Sequence, residues 1–261
     1  MNLGATLENF LKKNGYPNLE ITVTHDSIAS LLSAKAIEIT HNYTFTSAIN
    51  VIVGEGSNVA IKCDQENGES FLVNTEFGNF EGATPSRYDY LIEKEYNIGS
   101  DYHNEKMISG RWQHLLMKTI LKDLIKNNQL PEKILGNIDI ENMDSAELEK
   151  ITNASVLDTN CQEILEFIWK EILRRGSTLI GLMLSTTIKA MQDFSKQKNM
   201  EIAIIENGGV LERAAGFRGN MIKTMNNELI DADIADKIKL HFFSPKYECV
   251  PGAVIFNTFH K

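Results

Sequence analysis

The sequence predicts an α/β fold. Three observations carry it: strand-like apolar runs alternate with helical ones toward both ends of the chain, a long helical block lies between, and each glycine-bearing motif follows a run that reads as a strand. Ligands in such folds collect at the carboxyl ends of the strands, so these motifs are candidates for one shared crevice.

Taken in order, "MNLGATLENFLKKNGYPN" sets Leu3, Leu7, Phe10 and Leu11 on one stripe. This predicts an amphipathic helix over 2–14, stopped by Gly15 and Pro17, and is unlike the continuous apolar run of a signal peptide. "LEITVT" (19–24) alternates as a strand, and Asp26 opens the next helix. "AINVIVG" (48–54) reads as a buried strand, and "VAIKCD" and "SFLVNTE" form a hairpin around "ENGE". From Glu105 to about Asn128 the spacing is helical; "SAELEKI", "CQEILEFIWKEILRR" and "STLIGLMLSTTIKAMQDFSKQ" continue as helices, the last apolar nearly all round and so expected to be buried. "MEIAIIENGG" (200–209) is a strand entering a glycine pair, "IKLHFFS" (238–244) is another strand, and "PGAVIFNTF" begins a short helix.

With 261 residues, 43% hydrophobic and 23% charged, the chain is long enough to bury a sizeable core. Its net charge of −9 argues against a partner that is nucleic acid or an anionic membrane surface, both of which call for clustered positive charge. No stretch approaches the roughly 20 consecutive apolar residues of a membrane span. Cys63, Cys161 and Cys249 are far apart and follow no zinc spacing, which predicts reduced thiols in a cytoplasmic protein. The six histidines show no paired spacing, so no histidine metal site is expected.

Individual motifs each have a plain alternative. Asp26 reads as a helix cap or as a catalytic base. "GEGSN" (54–58) is a tight turn between strands or a turn whose bare backbone approaches an anion. Glu76 in "VNTEFGNF" is a surface side chain on an edge strand or an acid whose place there calls for a polar partner, and Glu105 in "NEKMISGRW" is a helix-start acid or a ligand group.

In order along the chain, "VTHDSIASLLSA", "VGEGSN", "VNTEFGNF", "EKMISG" and "IIENGGVLERAAGF" resemble the hexokinase family. The family's segments read approximately VNDTVGTL, GTGTN, INxEWGxF, EKMISG and a glycine turn beside the adenosine. The resemblance runs from about residue 5 to the end and is strongest between residues 20 and 112. It implies an actin-like, ribonuclease H-like sugar kinase, with residues 1–45 as the end of the small domain and 46–261 as the large domain. It also implies roles. Asp26 matches the general base at the sugar 6-hydroxyl, His25, Asn58, Glu76 and Glu105 match sugar-binding positions, Gly54, Glu55, Gly56 and Ser57 match the second phosphate turn, and Gly208 matches the adenosine turn. Mg²⁺-ATP would be the donor and a hexose the acceptor.

Three departures bear on this. His25 stands where the family has Asn, and Glu55 stands where it has Thr, setting a carboxylate beside polyphosphate. Nothing in the chain resembles the first phosphate loop, an Asp-x-Gly-Gly-Thr-like turn, or the sugar-binding Ser and Thr-Lys segments. The resemblance therefore implies a chain that begins inside the fold, partnered by an N-terminal lobe in trans or by self-association. Two functions follow: a hexose kinase, whole or split, or a sugar-binding regulatory relative impaired in ATP use.

Overall fold

The computed structural model describes residues 3–16, 21, 23–131, 140, 159–244 and 253. Five strands form one sheet: β1 (Ser47–Val53), β2 (Ser57–Asp64), β3 (Ser70–Asn74), β4 (Met200–Asn207) and β5 (Ile238–Phe243), in the order β3-β2-β1-β4-β5. The first three pair antiparallel through short turns, with Val53 opposite Ser57 and Ala60 opposite Asn74. β4 then lies parallel to β1, with Ile52 beside Asn207, and β5 lies parallel to β4.

β1 is central and covered on both faces, which is why it reads as an unbroken apolar run. Its period-two alternation sorts side chains between two cores. Ile49, Val51 and Val53, with Ile202 and Ile204 of β4, face helices α6 (Thr159–Ser195) and α8 (Phe217–Asp231), meeting Ile180, Leu184, Met221 and Met225. Ala48, Ala60, Ala203 and Ile205 form the opposite face, where Leu31, Ala34 and Ile37 of α2 (Asp26–His41) cover them. A third cluster joins α3 (Arg87–Glu95), α5 (Gly110–Lys126) and the first half of α6 through Ile92, Leu116, Leu121, Leu165 and Ile172. Each such side chain contributes about 1.5–3 kcal/mol when fully buried. The remaining helices are α1 (Leu3–Lys13), α4 (His103–Ile108) and α7 (Gly209–Arg213), with 3₁₀ turns at Phe77–Asn79 and Ala235–Lys237.

Several expectations need correction. Of the strand expected over 19–24, Ile21, Val23 and Thr24 belong to no strand, because they carry the chain into α2 with no neighbouring strand to pair with; the other positions lie outside the described residues. The two helices expected around Gly176 are one helix of 37 residues, about 55 Å long. Gly176 does not break it because the missing side chain is needed for packing: a Cβ there would lie 2.8 Å from Gln113 Nε2 and 3.2 Å from Met107 O. Gly181 likewise admits α8, where a Cβ would sit 2.7 Å from Met221 O. The helix is not buried all round, since Leu182 and Phe194 are exposed. The helical stretch from Glu105 is two helices, broken at extended Ser109 (φ −77°, ψ 151°). "SAELEKI" and, apart from Ala253, "PGAVIFNTF" lie outside the described residues. Among the cysteines, Cys63 is free and buried, and burial pushes its thiol pKa up, so it is an inert core group.

Candidate active site

The parallel pair β1–β4 brings two glycine turns into contact. Gly208 follows β4 at φ 105°, ψ 145°, a conformation open in practice only to glycine, and a Cβ on it would lie 2.3 Å from Val53 O. The turn after β1 is closed by Gly54 N donating to Gly56 O at 2.9 Å. A Cβ on Gly54 would be 3.7 Å from Gly208 Cα, so the two turns pack backbone to backbone. Gly110 joins them: its N–H donates to Gly54 O at 2.8 Å, and a side chain there would meet Val210 and Gly54. The final glycine of "EKMISG" thus docks the start of α5 on the first turn.

Short α4 delivers Glu105. Its backbone is tethered on both sides, by Asn104 Nδ2 donating to Phe77 O (3.1 Å) and by buried Lys106, whose Nζ donates to Glu93 Oε1 (2.9 Å) and Gly99 O (2.5 Å). Lys106 is therefore a tether. Glu105 Oε2 accepts from Ser57 N at 3.4 Å, and glycines clear its path: a Cβ on Gly56 would be 3.4 Å from that oxygen, and one on Gly78 would be 3.2 Å from Glu105 Cβ.

On the other side, Glu76 is exposed and left-handed (φ 47°, ψ 40°), a strained setting for a residue with a side chain. Asn74 orients it, donating from Nδ2 to Glu76 Oε1 at 2.6 Å. Asn74 Oδ1 in turn accepts from Asn58 Nδ2 (2.8 Å) and Ser27 Oγ (3.2 Å). Ser27 is the second residue of α2, directly after Asp26. Asp26 is exposed, and its Oδ1 accepts from Ser27 N at 2.6 Å. The N-cap position belongs to His25, which is exposed, extended (φ −69°, ψ 143°) and makes no capping bond with its side chain. Asp26 is therefore the first residue of α2, an acid in the first turn that accepts one of its N–H groups.

Asp26, Asn58, Glu76, Glu105, Ser57 and the Gly54–Gly208 contact thus form one connected surface at the carboxyl ends of β1 and β4. Chemically it offers three carboxylates to accept from hydroxyl groups, and bare glycine backbone beside them. Glu55 is exposed on the first turn. Arg213 of α7 folds back over the second, since a Cβ on Gly209 would lie 2.3 Å from its Nη2. Asn74 and Ser27 are the members that reasoning from individual residues passed over. An Asn at the end of a strand was their available signal, since Asn is depleted in strands without a polar partner.

The family profile described as hexokinase matches residues 48–245. The chain belongs to the hexokinase family. Among solved structures it is similar to a hexokinase, at TM-score 0.68 and 16% identity over 96% of this chain and 59% of that one. It is also similar to the hexokinase from Schistosoma mansoni complexed with glucose, at TM-score 0.63 and 18% identity over 96% of this chain and 61% of the other. A third similar structure, a ROK family glucokinase from Streptomyces griseus in complex with glucose and AMPPNP, gives TM-score 0.57 and 15% identity over 95% and 71% of the two chains. These likenesses establish the sugar-kinase fold. The hexokinase-family chain spans 59% and 61% of the length of the two hexokinases. No curated protein sequence matches it significantly. Among the described residues no helix is long and apolar enough to cross a membrane, and no three His, Cys, Asp or Glu side chains are grouped to hold a metal.

Proposed function

We propose that this hexokinase-family chain takes part in ATP-dependent phosphorylation of a glucose-like hexose at its 6-hydroxyl, as part of a longer or split cytoplasmic kinase. The observation that carries the reading is the hydrogen-bonded succession Ser27–Asn74–Glu76, with Asp26 at one end and Asn58 beside it, next to the two glycine turns. A sugar hydroxyl is a weak nucleophile, and in phosphoryl transfer positioning and charge do most of the work. Glu76, Glu105 and Asn58 hold the hydroxyls of the sugar. Asp26, exposed at the start of α2, takes the proton of the attacking hydroxyl.

The residues at the turns fit a phosphate-bearing donor. Gly54, Gly56 and Gly208 leave backbone accessible, Ser57 Oγ is buried with no protein partner among the described residues, and Arg213 sets positive charge beside Gly209. Mg²⁺ arriving with ATP supplies neutralisation of the developing phosphate charge. The division into 1–45 and 46–261 belongs to the same proposal. Because α2 packs on the sheet, that boundary marks entry into β1 and not a separation in space.

The test is release of ADP from Mg²⁺-ATP across a panel of hexoses, by the chain alone and with an N-terminal sugar-kinase lobe supplied. Hexose-dependent release that Asp26→Asn abolishes supports the kinase. Glu55 on the phosphate turn favours a second reading, a sugar-binding regulatory relative; calorimetric glucose binding with no ADP release under either condition would select it.

A further inference from the structure

The face of the sheet under α2 holds a buried polar cluster beneath the first turns of that helix. There Asn50 of β1, Asn207 of β4, and Ser27 and Ser30 of α2 are buried together, with exposures of 0%, 7%, 0% and 0%. Ser30 Oγ donates to Asn50 Oδ1 at 2.9 Å, and Asn50 Nδ2 donates to Ser27 O at 3.2 Å. Asn207 Nδ2 donates to Asn50 Oδ1 at 2.7 Å and to Ser30 Oγ. Neighbouring positions on this face are Leu31, Ala48, Ala203 and Ile205, so apolar residues would have filled the place without burying four polar side chains. What apolar contact cannot supply is direction. It leaves a helix free to slide or turn by fractions of an ångström, whereas satisfied polar groups fix one arrangement.

We propose that Asn50, Asn207 and Ser30 are positioning residues for Asp26. They hold the first turn of α2 at a set height and rotation over the ends of β1 and β4. Asn207 immediately precedes Gly208, so the same cluster ties the acceptor-side carboxylate to the turn on the donor side. Ser27 is gripped twice, its carbonyl by Asn50 and its hydroxyl through Asn74, and Asp26 is its direct neighbour. The importance of Asp26 rests on the kinase reading above; the mechanical claim does not need it.

The test uses the full chain as wild type, as Ser30→Ala, and as Ser30→Ala/Asn50→Leu/Asn207→Leu, in which the three polar groups leave together and none of them is stranded. Hydrogen exchange is measured at Ala29 and Leu31 in α2, with Met225 and Leu229 in α8 as reference. The ¹³C resonance of the Asp26 carboxylate, assigned by its loss in Asp26→Asn, is followed alongside. In the triple variant, exchange at the α2 amides should rise about tenfold or more, and in Ser30→Ala about threefold. The α8 amides and the melting temperature should be unchanged, and the Asp26 resonance should move. Unchanged α2 exchange in both variants overturns the proposal, as does acceleration in Ser30→Ala that is equal in α2 and α8, which marks a purely structural role. Hexose-dependent ADP release by the wild type with an N-terminal sugar-kinase lobe supplied separates the two ideas: its absence removes the kinase reading while the exchange result still decides the positioning one.

Discussion

Gly208 illustrates how a single residue holds the site together. Its backbone has no allowed counterpart for a side chain, and the Cβ of alanine would fall 2.3 Å from Val53 O, against main chain that cannot swing aside. We expect Gly208→Ala to lower unfolding stability by about 2–4 kcal/mol in a urea titration; an unchanged midpoint would contradict the close packing of the two turns. Glu55 makes a different kind of test. If ATP seats on the Gly54 turn, two unit charges about 4 Å apart repel by roughly 1–4 kcal/mol, so Glu55→Thr should bind Mg²⁺-ATP about tenfold more tightly by calorimetry. Weaker binding by the Thr variant would make Glu55 a metal-binding group. For Asp26→Asn we expect about a 10²–10⁴-fold loss of any phosphoryl transfer with glucose affinity largely kept, which a coupled assay and calorimetry can separate. Asp26, Glu76 and Glu105 stood out only through the ordered resemblance, since each acid alone reads equally well as a helix-start or surface group. Asn50 and Asn207 did not stand out. Each sits inside an ordinary strand-like run, and its purpose exists only once β1 and β4 lie side by side beneath α2.

Among elements, α3 shows what a cap and one ion pair achieve. Ser86 and Asp89 form a capping box at its start, and Asp89 also accepts from Arg175 Nη1 (2.7 Å) and Nη2 (3.1 Å), fastening α3 to α6. Burial pushes the Asp89 carboxyl pKa up, but the Arg175 hydrogen bonds and charge, with help from Ser86, outweigh it and hold the value below the ordinary one. A depressed folded pKa stabilises above the unfolded value of about 4, and that stability is lost as pH falls through the folded value. Asp89→Asn should therefore cost about 2–4 kcal/mol at neutral pH and flatten the acid side of the stability–pH curve below about pH 4; parallel wild-type and variant curves would remove Asp89 from the account. The five strands and the starts of α1, α2, α4 and α6 could be read from pattern, since period and caps are local, whereas α3, α7 and α8 were not read. The continuity of α6 could not be read, because Gly176 serves contacts with Gln113, Met107 and Phe217 that come from distant parts of the chain. The capping-box spacing "SRYD" was present all along as the sign of α3.

For the molecule as a whole, α6 binds two cores into one unit: Leu165 and Ile172 serve the cluster with α3 and α5, while Ile180, Leu184 and Ile188 serve the sheet. Trp169 packs against both. Unfolding followed by tryptophan fluorescence should therefore coincide with that followed by far-ultraviolet circular dichroism, in a single transition; separated midpoints would show the cores to be independent.

The insertion of β4 between β1 and β5 also sets an order in time. During synthesis β1, β2 and β3 emerge in succession and can pair through short turns, leaving the other edge of β1 open. That edge, buried in the finished molecule, stays a template for wrong partners until the segment carrying Met200–Asn207 leaves the ribosome. Asn207 and Gly208 come with it, so the crevice is completed by the same event that closes the most adhesive edge of the nascent chain. A ligand held there would act as a late checkpoint on the newborn protein, recognising only chains in which β4 already covers the edge of β1.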